Sequence, residues 1–352
     1  MRDQETQIKD VLILNERVFW ICDAWPLNNS YKKFVMYMSY LSVHMVIMYM
    51  DLYDVMGDLE LMVENIIDNT IATTTYLMLF LFRFSKLIKN VVAMVKRELA
   101  ENDFRNNDEK QLYLSYNIIS DNFGKYAVRT TAVIAVMWYI TPMLELLQGS
   151  GNDNSTMYRL PFRVHSFLDY EDNLKNYMLM YAYQMPLMFI ALLHISSISL
   201  LLSLVLHVCG KFSILSYRIQ NIAEDSKNSF QRRVKELVER HVELIMTANT
   251  LNSALQYILA MELIQTSIRM AVLMYTILLS KKVNDAYYDA NWLKLSIYDQ
   301  KLLLYCMCNG RKTLNLKAGK FYSFSLFGFI QVSKSCSTDE KVISSIIVCN
   351  RL

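Results

Sequence analysis

The chain has 352 residues, 53% of them hydrophobic and 20% charged, with 8 Gly, 4 Pro and a formal net charge of +3. So small a charge gives nucleic acid no electrostatic footprint, and a mean hydropathy of +0.18 excludes an ordinary soluble domain. Scarce helix breakers favour long helices, so the expected class is all-α: a polytopic transmembrane helical bundle.

Residues 1–33 carry Arg2, Lys9, Arg17, Lys32 and Lys33 around no long apolar core. A cleaved secretory signal is therefore not expected, and the segment reads as a cytosolic tail. Apolar stretches follow, with spans expected at about 34–50, 67–82, 130–148, 177–208 and 254–280. The clearest lies within Asn176 to Gly210, 35 residues without Asp, Glu, Lys or Arg. At 1.5 Å per residue such a helix reaches about 50 Å, against a hydrocarbon core of roughly 30 Å. The second is short and rich in Thr, and the fifth contains Glu262 and Arg269. A central charge costs roughly 2.5–3.5 kcal/mol on the insertion scale, so the fifth crosses only if these two side chains face other helices or water.

The distribution of basic residues sets the expected topology. Asp51 to Asp68 holds six acidic residues and no Lys or Arg, whereas Arg83 to Arg129 holds nine basic ones. Glu145 to Lys175 is poor in basic residues and Lys211 to Ser253 is rich in them. The positive-inside rule then places the N-terminus in the cytosol and the first and third connections outside. Asn154-Ser155-Thr156, a glycosylation sequon in the third connection, agrees with that side, although Asn28-Asn29-Ser30 on the cytosolic side is a sequon too. After the fifth stretch Lys281, Lys282, Lys294, Lys301, Arg311, Lys312, Lys317 and Lys320 again belong in the cytosol. Two cytosolic regions need an even number of crossings between them, so either Ala254 to Ser280 does not cross or a span is missing.

Between the spans, Phe230, Val234, Leu237, Val238, His241, Leu244 and Ile245 recur at helical spacing, which predicts an amphipathic helix leading into the fifth span. Leu87 to Leu99 shows the same pattern. No repeat or linker divides residues 1–352, which read as a single membrane domain. The six cysteines lack the paired spacing of a zinc site, so no metal or other cofactor is expected and the thiols are expected to be reduced. His44, His165, His194, His207 and His241 sit in no catalytic motif, so no enzyme is expected. His194 and His207 lie in the uncharged run without a carboxylate at helical spacing, and each is expected as a satisfied imidazole.

Two elements near the C-terminus carry a resemblance. Val283, Ala286, Tyr287 or Tyr288, and Trp292 are followed by Leu316, Ala318, Gly319, Lys320 and Phe321. In this order and at this distance they resemble the insect odorant receptors. The resemblance implies seven spans with a cytosolic N-terminus, a cytosolic anchor-like segment at 281–320, and a pore-forming final helix of which 321–335 is the remnant. It implies an odorant receptor subunit that binds small volatile ligands and gates cation flux with a co-receptor subunit, in a hetero-oligomeric, tetrameric channel in the plasma membrane of olfactory sensory neurons. The sequence departs from the family in lacking the sixth span and in the polar stretch after Ser333, as a skipped exon with a retained intron or frameshift, or a non-functional truncated receptor, would produce. A gustatory-type chemoreceptor fits the Leu316 to Phe321 segment less well. A transporter would need inverted repeats, and none is visible.

A ligand site requires an apolar cavity with a few orienting polar groups. In the expected topology the outer halves of the second, third and fourth spans supply Thr73, Tyr76, Met137, Trp138, Tyr139, Tyr177, Tyr181, Tyr183, Met185 and Phe189. Pro186 is expected to kink the fourth span and open space between helices. Glu145 and Gln331 are the polar residues placed where cations could be attracted.

Overall fold

The computed structural model describes residues 10–101, 104–149, 158–165, 173–222, 230–289, 296–310, 316–318 and 322–324. Among them the chain forms helices α1 (Ile13–Phe19), α2 (Lys32–Asp54), α3 (Leu59–Phe84), α4 (Lys86–Glu101), α5 (Asn107–Gly149), α6 (Leu174–Gln184), α7 (Met188–Gln220), α8 (Phe230–Asp289) and α9 (Ile297–Gly310). Short strands β1 (Leu316–Ala318) and β2 (Tyr322–Phe324) pair antiparallel, Lys317 opposite Ser323. Two compact units result, residues 1–265 and 266–352, the second holding the end of α8, α9 and the hairpin.

The uncharged run becomes α6, a 3-10 turn at Met185–Leu187 and α7. Pro186 stands at the start of that turn, where a residue without an N–H interrupts the helical ladder. The expected break is there. Helix α7 is the central element, packing most extensively on α5 and also on α1, α3 and α4. Its Leu193, Leu200 and Leu204 are fully buried, and burial of one such side chain stabilises by about 1.5–3 kcal/mol.

Helices α5 and α7 run antiparallel along a ladder of polar contacts. Arg218 donates to both carboxylate oxygens of Glu109 at 2.8 and 2.7 Å, Tyr116 meets Ser213 at 2.7 Å, and Ser120 donates to Ser203 at 2.7 Å. Small residues let the backbones approach. A Cβ on Gly124 would stand 2.8 Å from Ser199 Oγ, and one on Gly210 2.8 Å from the Tyr113 ring.

The amphipathic helices are present, but both exceed the stretches read for them. Helix α4 turns Ile88, Val91, Val92 and Val95 into the core, and α8 runs from Phe230 to Asp289. Its last turns take up Val283, Ala286, Tyr287 and Tyr288, so this part of the 281–320 segment is helical. Trp292, Gly319, Lys320 and Phe321 lie outside the described residues, as do Asn154, Gln331 and most of 321–335; Leu316 and Ala318 lie on β1.

Two other segments differ from the expectation. Helix α3 starts at Leu59, so Glu64, read as a loop residue, is helical and the first connection shrinks to Val55–Asp58. Asn65 Nδ2 donates to Asp51 Oδ2 at 2.7 Å and Asn69 Nδ2 to the Met48 carbonyl at 3.4 Å, which ties those turns to α2. The described part of the N-terminal tail is folded as well. Leu12, Phe19, Cys22 and Trp25 enter the core, where Phe19 packs on Phe82 with ring centroids 5.6 Å apart. Arg83, counted as a loop cation, is buried. It donates to the carbonyls of Trp25 at 3.0 Å and Ser30 at 2.6 Å, and lies 4.0 Å over the Tyr31 ring.

Among the described residues four helical stretches are long and apolar enough to cross a membrane: Lys32–Asp54, Asn107–Leu146, Leu174–Gln220 and Phe230–Tyr275. Helix α3 has the length, but Asn, Thr and acidic residues lower its hydropathy. Val133, Ile134, Met137, Trp138, Ile140 and Leu144 of α5 are exposed on the chain, a large apolar face that a monomer in water rarely shows. Lipid covers such a face without cost.

Candidate ligand cavity

Four helices and one connection line a half-open cavity of about 200 Å³. Helix α5 contributes Thr131, Ile134, Ala135 and Trp138, spaced i, i+3, i+4, i+7 on one face. The remaining lining is His44 and Met48 of α2, Asp68, Ile71 and Ala72 of α3, Phe162, Leu187 of the 3-10 turn, and Met188, Ile190 and Ala191 of α7. The break at Pro186 thus sits at the cavity wall, where sequence reasoning expected space.

The connection bearing Phe162 is fixed by hydrogen bonds rather than by regular structure. Gln184 Oε1 accepts from the Phe162 N–H at 3.0 Å while its Nε2 donates to the Phe162 carbonyl at 2.7 Å, and the Gln184 side chain is fully buried. Trp138 Nε1 donates to the Pro161 carbonyl at 2.9 Å. Arg163 Nε donates to Asp51 Oδ2 at 3.1 Å, and His165 pairs with Asp54. His44 is fixed against Tyr40, the two rings stacked at 6.2 Å, with Tyr183 Oη 3.5 Å from Nδ1.

Of the ten side chains expected at a ligand site, Trp138 lines the cavity. The other nine do not. Thr73 meets Tyr49 at 2.9 Å and Tyr76 Oη accepts from Ser42 at 3.1 Å. Tyr139 donates to the Tyr181 carbonyl at 2.7 Å and Tyr181 returns a bond to the Tyr139 carbonyl. Tyr177 is buried and donates to the Arg159 carbonyl at 3.1 Å. Tyr183 braces His44, Phe189 packs on the main core, and Met137 and Met185 are exposed. The cavity lining also holds His44, Asp68 and Phe162, which the sequence reading did not name as ligand contacts. The available signal was the stripe Thr131, Ile134, Ala135 and Trp138 at helical spacing facing the Pro186 break.

The two histidines of the uncharged run are satisfied, but by carboxylates from other helices. His194 Nδ1 meets Thr75 Oγ1 at 3.1 Å, and its Nε2 is 3.5 Å from Glu262 Oε1. Glu262 therefore faces α7, as a charge inside a span requires. His207 Nδ1 meets Tyr113 Oη at 2.6 Å and its Nε2 lies 3.2 Å from Glu98 Oε2. The partners escaped detection because spacing along one helix says nothing about its neighbours.

A second cavity, about 190 Å³, is lined by Arg105, Glu109, Arg218, Arg233 and other mostly polar groups. Its ion pairs Arg218–Glu109 and Arg105–Glu236 suit structure better than an apolar ligand. Cys22 and Cys209 are free thiols, and no cluster of metal-ligating side chains occurs among the described residues.

Comparison with known proteins accords with this architecture. The structure of the insect olfactory receptor OR5 from Machilis hrabei is similar over 95% of this chain and 99% of that one, at 12% identity and a TM-score of 0.59. The structure of that receptor in complex with eugenol gives the same score and identity over 96% and 100% of the two chains. At this identity the likeness shows a shared helical fold. No curated protein matches the chain. The 7tm Odorant receptor family matches over residues 61–281, more than half of the sequence, and with its apolar membrane-crossing helices the chain belongs to that family of multi-pass receptors.

Proposed function

We propose that this chain is an odorant receptor subunit that takes a small volatile organic ligand into the cavity between α2, α3, α5 and α7, and with a co-receptor gates cation flux across the plasma membrane of olfactory sensory neurons. One observation carries the reading: a mostly apolar cavity of about 200 Å³ with few polar groups, lying between helices in a member of an odorant receptor family. An apolar cavity of 150 Å³ holds benzene, so this one suits a ligand of about eight non-hydrogen atoms. The solved relative in complex with eugenol supports a small organic ligand for the fold.

Coupling from the cavity to α8 has a physical route. His194 lies one turn beyond Ala191, and Thr75 one turn beyond Ile71 and Ala72, so the contacts Thr75–His194–Glu262 begin directly below the cavity wall. The proposed topology keeps the N-terminus cytosolic, one span short of the family's seven. Co-expression with the co-receptor and recording of currents against a panel of volatile compounds tests the function. Ligand-evoked cation currents are expected, and silence from a protein shown at the cell surface contradicts the channel role and favours a non-functional truncated receptor.

A further inference from the structure

Among the polar residues lining the cavity, one carries a carboxylate. Asp68 lines a cavity whose other walls are mostly apolar, Met48, Ile71, Ala72, Ile134 and Leu187 among them, with His44 and Thr131 as further polar groups and no Lys or Arg. Among the described residues its carboxylate has neither a hydrogen-bond nor an ion-pair partner, whereas the nearby acids are engaged, Asp51 with Arg163 and Asn65, and Asp54 with His165. Glu64, one turn earlier on α3, adds negative potential. The side chain is partly exposed, and a cation that brings its own donors suits a carboxylate set beside apolar surface. The same lining includes Trp138 and Phe162, and aromatic ring faces attract cations.

We infer that the cavity selects small aliphatic amines in their ammonium form, Asp68 taking the charge and Trp138 and Phe162 flanking it, in preference to neutral compounds of the same shape. This rests on the cavity being the ligand site. The carboxylate accepts N–H donors from the ammonium group, and the hydrocarbon part fills the space between Ile71, Ala135 and Met188. An alcohol offers a single donor and no charge, and an aldehyde offers none.

The test uses the full chain in lipid nanodiscs and three compounds of equal size: cyclohexylmethylamine, cyclohexylmethanol and cyclohexanecarbaldehyde. Calorimetric titration at about pH 8, where an alkylamine is cationic, is expected to show the amine bound at least about tenfold tighter than either neutral compound. Asp68→Asn is expected to bring the three within about twofold of one another, and Asp68→Glu to restore the preference. Ala135→Phe, which fills the cavity, is expected to abolish binding of all three. Equal affinities in the unaltered chain, a preference for the aldehyde, no binding of the amine, or a preference that survives Asp68→Asn would each overturn the inference. If Ala135→Phe leaves binding intact, the cavity reading itself fails. Equal affinities that Ala135→Phe abolishes leave the cavity standing and remove only the amine preference.

Discussion

Glu98 of α4 lies with Oε2 3.2 Å from Nε2 of His207 on α7, and the same oxygen is 3.1 Å from Lys211 Nζ. The amphipathic helix α4 is thereby locked to the central helix by a largely buried carboxylate shared between an imidazole and an ammonium group. Burial alone would raise the Glu98 pKa, but the His207 hydrogen bond and the Lys211 charge outweigh it and hold the carboxyl down at about 2, against an ordinary 4.5. A folded-state pKa below the unfolded one contributes stability above about pH 4.5 that is lost as pH falls toward about 2. Glu98→Gln leaves Lys211 without its counter-charge and is expected to destabilise the chain by about 3 kcal/mol at neutral pH. Thermal melts in detergent check this: the gap between variant and unaltered protein should narrow steadily below about pH 4.5.

The close approach of α5 and α7 predicts a strong effect from one methyl group. Gly210→Ala would place a Cβ 2.8 Å from the Tyr113 ring, displacing a side chain that also contacts His207. A loss of about 1–3 kcal/mol is expected, and Gly210→Ala combined with Tyr113→Leu should recover part of it. A Gly57→Ala control has open space around the new Cβ, but its φ of +115° adds backbone strain, so it reports on conformation and not on packing.

Arg83 should prove to be the clasp of the N-terminal segment. Arg83→Ala removes the donors to Trp25 and Ser30 and the contact with Tyr31. Cys22 provides the readout, since burial pushes its thiol up to about 12 and it is almost fully covered. In the unaltered chain Cys22 is expected to resist alkylation at about pH 8, because the thiolate is the nucleophile. In Arg83→Ala the rate should rise at least about tenfold as the segment opens. An unchanged rate would show that Phe19, Trp25 and Phe82 hold the segment without Arg83.

The proposed topology predicts modification at Asn154 and not at Asn28, even though both are sequons. Expression in a glycosylating cell should give one glycosidase-sensitive band shift, removed by Asn154→Gln and retained in Asn28→Gln. Asn28 is also engaged in the fold, its Nδ2 donating to Asp23 Oδ1 at 3.0 Å.

The helical class, the membrane setting and the break at Pro186 were legible because each depends on local sequence: charge-free length, hydropathy and a missing N–H. The family was suggested by Val283, Ala286 and the Leu316 to Phe321 segment, while the family match itself rests on residues 61–281 and covers none of those positions. The cavity was not, because it depends on which helices become neighbours. Bulky Tyr and Met at the span ends drew the prediction, yet Tyr139 and Tyr181 satisfy each other's backbone, and the cavity is lined instead by residues such as Ala72, Thr131, Ala135 and Ala191. Small side chains leave space, and space has no compositional mark. Arg83 and Glu64 were misassigned to loops for a related reason, since a charge reads as a boundary until a partner or a helical register is known.

The most direct test of the account is photo-crosslinking of the full chain in nanodiscs with a diazirine analogue of cyclohexylmethylamine, followed by mass spectrometry of the labelled peptides. The account predicts adducts within 131–138 of α5 and 187–191 at the start of α7, suppressed by excess unlabelled amine and absent in Ala135→Phe. Competable labelling at Tyr177, Tyr181 and Met185 instead would place the ligand at the span ends and contradict the cavity as its site.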